Sequence, residues 1–554
     1  MRESTEALIV QADGTVLLDT AHPQADELAE RLSRFADLVK SPGPLQVYRM
    51  TPLSLWNAAE TGETEDGVLD FLDAYSRYGL HANTERLVAE AFRRHGLLKL
   101  SEIGGKLRLE ASERGWLERT LAGRAELADL PREERPDGSW SLRREDRGVW
   151  KQRLLRLGYP VRDLAGYHRG RELPVSLRHT SRSGRPLTLR DYQLQAADAF
   201  LSGERGTDGS GVVVLPCGAG KTIVGLAVMA KLRCETLILT ASATSVRQWK
   251  RELLDKTDLQ EDDIGEYDGD RKEVRPVTIA TYQILTHRRS KTGGFSHMSL
   301  FSGRDWGLIV YDEVHLLPAP VFRATADIQA TRRLGLTATL VREDGCEEDV
   351  YSLIGPKRFE LPWRRLEAEG WIAEVQCREL RVPMPEPERQ RYLGAGLREQ
   401  FRLASVNPAK QPVVDRLLER HRRDRVLVIG QYLDQLRELS DRLKAPFISG
   451  SMPQEEREKL YEAFRDGREP VLVVSKVANF AVDLPDANAL IQVSGSYGSR
   501  QEEAQRLGRL LRPKPDGRPA SFYSVVTRDT REQEFSANRR LFLLEQGYRY
   551  EVEG

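Results

Sequence analysis

A strand of Val212, Val213, Val214 and Leu215 runs directly into Pro216-Cys217-Gly218-Ala219-Gly220-Lys221-Thr222, and a helical stretch follows from Ile223 to Lys231. Strand, glycine loop and helix in this order make a phosphate site. Gly218 and Gly220 let the backbone curl until several N–H groups face one anion. The helix opening at Lys221 adds its positive dipole end. Lys221 reaches terminal phosphates in such a loop, and the Thr222 hydroxyl holds a magnesium ion. The general pattern has a glycine where this chain has Leu215, so the loop is the shorter Pro-x-Gly-x-Gly-Lys-Thr form. Pro216, Gly218, Ala219, Gly220, Lys221 and Thr222 are the candidate ATP-binding residues here.

A second stretch agrees with the first. Leu308-Ile309-Val310-Tyr311 reads as a buried strand and delivers Asp312-Glu313-Val314-His315 at its C-terminal end. Ligand groups in open α/β sheets gather at the carboxyl ends of strands. Asp312 is expected to hold the magnesium, while Glu313 orients and deprotonates the water that attacks the γ-phosphate. The pair lies about 90 residues after the glycine loop, a spacing that lets both occupy one sheet. Together they read as a nucleoside triphosphatase using Mg2+.

At 554 residues the chain is too long for one core, and about three or four domains are expected. Lys+Arg and Asp+Glu are both 84, so bulk charge does not announce a nucleic-acid partner and any basic surface must be local. No signal-like or membrane-length apolar run is present, so the chain reads as soluble and intracellular. The four cysteines, Cys217, Cys234, Cys346 and Cys377, form no CxxC pair and point away from structural zinc or a disulfide framework.

Residues 1–40 read as a hairpin turning at Ala12-Asp13-Gly14, then a helix from about Pro23 to Val39. Thr51-Pro52 marks a helix start, and helical patterns near 52–60, 64–77 and 83–95 precede two strands across Gly104-Gly105. Three helices and a hairpin are the order of a winged helix, which binds nucleic acid or serves as a protein-interaction module. Leu109–Gly115 is echoed by Leu142–Gly148, each copy running from a strand-like into a helical stretch, as suits a small α+β domain. Arg169, Arg171, Arg178, Arg182 and Arg185 mark a polar linker. From Leu187 strands and helices alternate twice over, implying two parallel-sheet lobes with an irregular stretch near 358–410 between them. The expected divisions are 1–105, 106–180, a nucleotide-binding lobe 187–357, an interlobe segment 358–410 and a second lobe 411–554.

The second lobe offers Gln505-Arg506-Leu507-Gly508-Arg509-Leu510-Leu511-Arg512. Arg509 and Arg512 share one helical face, and arginines supplied across a cleft stabilise the charge that develops in phosphoryl transfer.

At this point the chain resembles superfamily 2 helicases, motif by motif. Leu189-Arg190-Asp191-Tyr192-Gln193 looks like the adenine-reading element, which implies Arg190 and Gln193 as ATP contacts. Thr337-Ala338-Thr339 looks like the element coupling hydrolysis to lobe movement, with His315 and Gln505 in the same role. Ala481-Val482-Asp483-Leu484-Pro485 resembles the motif whose aspartate, here Asp483, contacts the ribose. The likeness narrows to the XPB family of DNA repair helicases, bacterial type. It is carried by Arg342-Glu343-Asp344, Leu353-Ile354-Gly355-Pro356-Lys357, Trp371–Cys377, Ser475-Lys476-Val477, Gln546-Gly547-Tyr548 and the N-terminal Tyr48–Asn57. The implied fold is α/β: two RecA-like helicase lobes preceded by smaller α+β domains, one winged-helix-like and one damage-recognition-like. A thumb insertion is expected near Pro385–Lys410 and is short.

The resemblance also implies DNA contacts from Arg247, Gln248, Thr281 and Tyr282 in the first lobe and from Ser475 and Lys476 in the second, with Arg342, Glu343 and Asp344 at the DNA. Trp249 reads as core packing or as a base contact. The activity implied is an ATP-dependent DNA helicase or translocase, 3′ to 5′, in nucleotide-excision-like repair. Its partners would be forked or damaged duplex and single strands, with a partner nuclease or repair proteins. The alternatives are a duplex translocase that does not separate strands and an ATP-switched DNA-binding scaffold.

Overall fold

The structure is a computed structural model and describes residues 6–40, 44–201, 209–216, 218–287, 297–318, 321, 325, 331–338, 347–361, 363–475, 487–495, 503, 506–508, 510–511, 517–545, 548 and 550–554. The chain forms two compact units, Met1–Leu215 with Gly220–Leu361, and Pro216–Ala219 with Pro362–Gly554.

The first unit begins with an antiparallel sheet of β1 (Leu8–Val10), β2 (Thr15–Asp19), β3 (Asp37–Lys40) and β4 (Leu45–Arg49) in the order β1-β2-β4-β3. The expected first hairpin is present, with Gly14 at φ +83° in its turn. The helix expected over 23–39 is shorter: α1 spans Ala25–Leu32. Its chain then turns, and exposed Asp37, buried Leu38 and exposed Val39 alternate as β3 against β4. Three helices follow, α2 (Pro52–Glu60), α3 (Glu65–Tyr75) and α4 (Ala82–His95). Thr51 and Ser54 close a reciprocal capping box at the start of α2.

The hairpin β5 (Leu98–Ile103) and β6 (Lys106–Ala111) is not a wing on these helices. It is the centre of a five-stranded sheet completed by β7 (Glu133–Glu134), β8 (Trp140–Leu142) and β9 (Val161–Asp163), in the order β7-β8-β6-β5-β9. The physical reason is its alternating leucines. Leu98, Leu100, Leu107 and Leu109 enter one core with Trp140, Trp150 and Leu154, the last two on α6 (Arg147–Arg156). The division expected at 105/106 therefore falls in the Gly104-Gly105 turn of one hairpin. The two echoed segments are the successive pieces β6 to α5 (Trp116–Leu121) and β8 to α6.

The arginine-rich stretch after 167 is a docked strap rather than a free linker. Arg171, Leu173, Arg178 and Arg182 donate backbone N–H groups to the carbonyls of Asp305, Arg233, Lys256 and Asp255. The guanidiniums of Arg178 and Arg182 donate to Thr257 O and Leu259 O, at 2.6 and 2.8 Å. The carbonyls of Asp255, Lys256 and Thr257 lie at the end of α9 (Ala243–Lys256), where the helix dipole favours cations.

The first lobe is a seven-stranded, wholly parallel sheet in the order β12-β13-β11-β14-β15-β10-β16. Its strands are β10 (Ser210–Val214), β11 (Thr236–Thr240), β12 (Ile264–Tyr267), β13 (Val277–Thr281), β14 (Leu308–Asp312), β15 (Arg332–Thr337) and β16 (Lys357–Glu360). Helices α7 (Asp191–Leu201), α8 (Lys221–Leu232), α9 and α10 (Tyr282–Thr286) connect them. The lobe extends past the expected end at 357, because β16 pairs with β10.

The second unit holds another wholly parallel seven-stranded sheet, β19-β20-β18-β21-β22-β17-β23. Its strands are β17 (Val375–Val382), β18 (Val426–Gly430), β19 (Phe447–Ile448), β20 (Val471–Ser475), β21 (Ala489–Gln492), β22 (Ala520–Thr527) and β23 (Tyr550–Glu553). The stretch expected to be irregular thus supplies β17, an interior strand paired with β22 along its whole length. Two helices, Glu386–Leu393 and Leu397–Ser405, occupy the place of the thumb-like insertion. A buried ion pair anchors this unit: Lys410 Nζ lies 2.6 Å from Glu532 Oε1 and donates to Val493 O at 2.8 Å. Among the described residues no helix is long and apolar enough to cross a membrane.

Candidate nucleotide site

The five residues of β10 are all buried, as an interior parallel strand requires, and the chain leaves the sheet at Leu215. Gly218 and Gly220 both adopt left-handed backbone, φ +81° and +82°, a conformation that costs other residues strain. A Cβ on Gly218 would point into open space, whereas one on Gly220 would lie 2.5 Å from Gln193 Nε2. Gly220 is also the N-cap of the twelve-residue α8, so the first-turn amides and the positive dipole end open at the loop. Gln193 is buried and accepts the Arg190 backbone N–H at 3.0 Å, while Arg190 donates to the Tyr192 hydroxyl at 2.8 Å. The expected adenine-reading residues and the loop glycine are therefore neighbours.

Facing Lys221 is the end of β14. Lys221 Nζ lies 3.6 Å from Glu313 Oε1. Glu313 itself is left-handed, φ 51° and ψ 54°, a strained backbone for a residue with a Cβ. Burial, reinforced by the adjacent Glu313 charge, pushes the Asp312 carboxyl up to about 6. Trp249 Nε1–H donates to Asp312 Oδ2 at 2.8 Å, and the Tyr282 hydroxyl donates to Asp312 O at 2.9 Å. His315 Nδ1 lies 2.7 Å from Thr337 Oγ1 and 3.5 Å from Glu313 Oε2, so two of the four expected coupling residues meet beside the second carboxylate.

The donor set fits magnesium and a polyphosphate. A threonine hydroxyl and a carboxylate are hard oxygen ligands, and two adjacent partly buried carboxylates are relieved by a dication. Thr222 follows Lys221 in the first turn of α8, and Asp312 closes β14. Among the described residues, no cluster of three or more His, Cys, Asp or Glu side chains suits a metal held by protein alone. Cys234 and Cys377 are buried free thiols.

The expected DNA contacts divide sharply. Arg247 is exposed and Gln248 half-buried on α9. Thr281 and Tyr282 are each 3% exposed and Ser475 is 1% exposed. Thr281 Oγ1 caps α10 by accepting the Ile284 N–H, and the Tyr282 hydroxyl donates to Asp312 O. Trp249 is likewise core, with the polar edge the sequence could not assign turned onto Asp312. Arg342, Glu343, Asp344, Thr339, Lys476, Asp483, Gln505, Arg509 and Arg512 lie outside the described residues.

Comparison with known proteins gives three family matches. Residues 366–553 match the ERCC3/RAD25/XPB C-terminal helicase, and 186–342 match the type III restriction enzyme, res subunit. Residues 8–132 match a helicase conserved C-terminal domain, although here they form the N-terminal antiparallel sheet, helices α1 to α5 and part of the five-stranded sheet. A DNA 3′-5′ helicase XPB of Kineococcus radiotolerans is 51% identical over 98% of this chain and 96% of its own. The protein of the same name from Mycobacterium tuberculosis is 51% identical over 98% and 97%. The general transcription and DNA repair factor IIH helicase/translocase subunit XPB/SSL2 of Saccharomyces cerevisiae is 32% identical over 98% of this chain and 71% of its own.

Proposed function

The chain belongs to the XPB family of DNA helicases, and from that premise we propose that it is an ATP-dependent 3′ to 5′ DNA helicase acting in DNA repair. The observation that carries the reading is the convergence of Lys221, Asp312 and Glu313 at the carboxyl ends of β10 and β14. Bound MgATP supplies the phosphoanhydride whose hydrolysis drives movement, its metal neutralising charge on the phosphate oxygens.

The roles of the chain's own groups follow. Arg190 and Gln193 orient the adenine end. The amides of Gly218, Ala219 and Gly220, after the Pro216 turn, cradle the phosphates, and Lys221 binds the terminal ones. Thr222 and Asp312 hold the cation. Glu313 orients the attacking water and takes its proton as the bond to the γ-phosphorus forms and the bridging bond breaks. The contact of His315 with Thr337 links this carboxylate to the segment leading to Thr339, supporting a coupling role for all three. By motif alone, Arg509 and Arg512 stabilise transition-state charge, Gln505 couples, and Asp483 binds ribose. Arg247 and Gln248, with Lys476 and the Arg342-Glu343-Asp344 element, remain the proposed DNA contacts.

A second reading is favoured by one observation: the yeast relative is named a helicase/translocase subunit. Strand displacement on a forked duplex and third-strand displacement from a triplex separate the two. A helicase does the first. A translocase does only the second, and an ATPase that does neither acts as a DNA-binding scaffold. The bacterial relatives support action in the cytoplasm, and repair proteins or a nuclease remain candidate partners.

A further inference from the structure

Trp249 stands in the middle of α9, two residues beyond exposed Arg247, and is only 1% exposed itself. It touches two other parts of the nucleotide site. Its Nε1–H donates to Asp312 Oδ2 at 2.8 Å. Its six-membered ring lies on Gly225, in the middle of α8, where an added Cβ would stand 2.7 Å from Cη2 and 3.3 Å from Cζ3. Glycine in a helix interior is unfavourable on propensity, so this close approach gives Gly225 its reason. An indole needs one acceptor for its single N–H, and the acceptor here lies 63 positions away in sequence. That bond occupies Oδ2 of Asp312, while the Tyr282 hydroxyl holds the backbone carbonyl of the same residue.

We propose that Trp249 is a positioning residue for the metal site: its N–H fixes the Asp312 carboxylate so that Oδ1 is presented to the cation, and its ring wedges α9 against α8. This rests on the reading of Asp312 as a magnesium ligand. Groups that orient a ligating carboxylate act on metal affinity nearly as strongly as the ligands do. The same wedge gives α9, which carries Arg247 and Gln248, a direct mechanical path to the cation.

The test is binding, not turnover. A fluorescent ADP analogue is titrated onto the full-length protein across a magnesium series, with a parallel titration in EDTA, for wild type and Asp312→Asn, Trp249→Phe and Gly225→Ala variants. Trp249→Phe removes the donor together with the distal ring atoms that reach Gly225. Gly225→Ala keeps the donor and displaces the ring. Both are expected to raise the magnesium concentration at half-saturation by roughly 10-fold, leaving the EDTA affinity unchanged. A fall in melting temperature with an unmoved magnesium midpoint in both variants would show a purely structural tryptophan and overturn the proposal. Asp312→Asn separates the two levels. If it leaves the midpoint unmoved, the assignment of the metal ligand fails and the positioning role falls with it. If it raises the midpoint while Trp249→Phe does not, the positioning role alone fails.

Discussion

The guanidinium carbon of Arg333 sits over the ring of Tyr167, 5.5 Å from its centroid. Arg333 is wholly buried on β15 of the first lobe, and Tyr167 ends the small five-stranded domain. Arg147 of that domain also lies over the ring, at 5.3 Å, and the Tyr167 hydroxyl donates to Ser210 Oγ of β10 at 2.7 Å. Nearby, Gln152 Nε2 donates to Asp349 Oδ1 at 2.6 Å, and on the N-terminal side Arg358 pairs with Glu60 at 2.7 Å. The domains before the motor are thus built into the first lobe's sheet.

Tyr167→Phe is expected to cost about 1 kcal/mol, the worth of one hydrogen bond. Tyr167→Ala should cost about 3 kcal/mol, because it opens a cavity beside two guanidiniums. Residues 184–554 expressed alone should melt lower than the whole chain and lose ATPase activity through instability. Denaturant unfolding and a thermal melt check all three, and an unshifted melt of the shortened chain would show the lobe to be independent.

Lys221→Ala and Glu313→Gln should fail in different ways. Removing the ammonium weakens nucleotide binding directly. Replacing the carboxylate keeps binding and lowers kcat by about 100- to 10,000-fold, the usual worth of a positioned base. Equilibrium binding and single-turnover hydrolysis measured side by side distinguish them. Near-normal turnover in Glu313→Gln would remove it from the chemistry.

Asp163 gives an acid-sensitive element. Burial disfavours its charge, but Lys151, at 2.9 Å, and Arg147, at 2.7 Å, outweigh that and hold its carboxyl well below the usual carboxylate range. A carboxyl depressed in the folded state stabilises fully above its unfolded value of about 3.9, and that stabilisation is lost as pH falls below it. Asp163→Asn should therefore cost about 3–5 kcal/mol at neutral pH, since it leaves two buried cations facing a neutral amide. It should also flatten the acid limb of stability between about pH 4 and pH 2. Tryptophan emission, to which Trp140 and Trp150 in this domain's core contribute, follows the transition.

Arg247 and Tyr282 should separate by salt. If the exposed Arg247 meets a phosphate, Arg247→Ala weakens DNA binding on every sequence and lowers the slope of log K against log salt by about 1. Tyr282→Phe should leave the slope alone and cost about 1 kcal/mol of stability through its lost bond to Asp312.

The motor's inner strands were legible because parallel strands buried on both faces read as unbroken apolar runs, as in Val212–Leu215 and Leu308–Tyr311. The strands missed break that rule. β16 is Lys-Arg-Phe-Glu, a half-buried edge. β17 carries Glu379, which is buried yet satisfied by Ser536 and Arg381, partners that no local pattern reveals. The hairpin Leu98–Ala111 was visible as a hairpin, but its sheet partners lie further along the chain and could not be inferred from the three helices before it. At the site, the loop and the acidic pair are local motifs. The partner of Trp249 is distant, and the burial of Thr281 and Tyr282 is a property of the sheet end that their motif does not encode.

Fully extended, the twenty residues from Tyr167 to Pro186 would reach about 65 Å, enough to let one domain roam around another. Tied at Arg171, Leu173, Ser176, Arg178 and Arg182, the stretch has no such slack. It is a splint, not a leash. The N-terminal sheets and the strand that carries Glu313 therefore belong to one piece, with no slack in the chain between them.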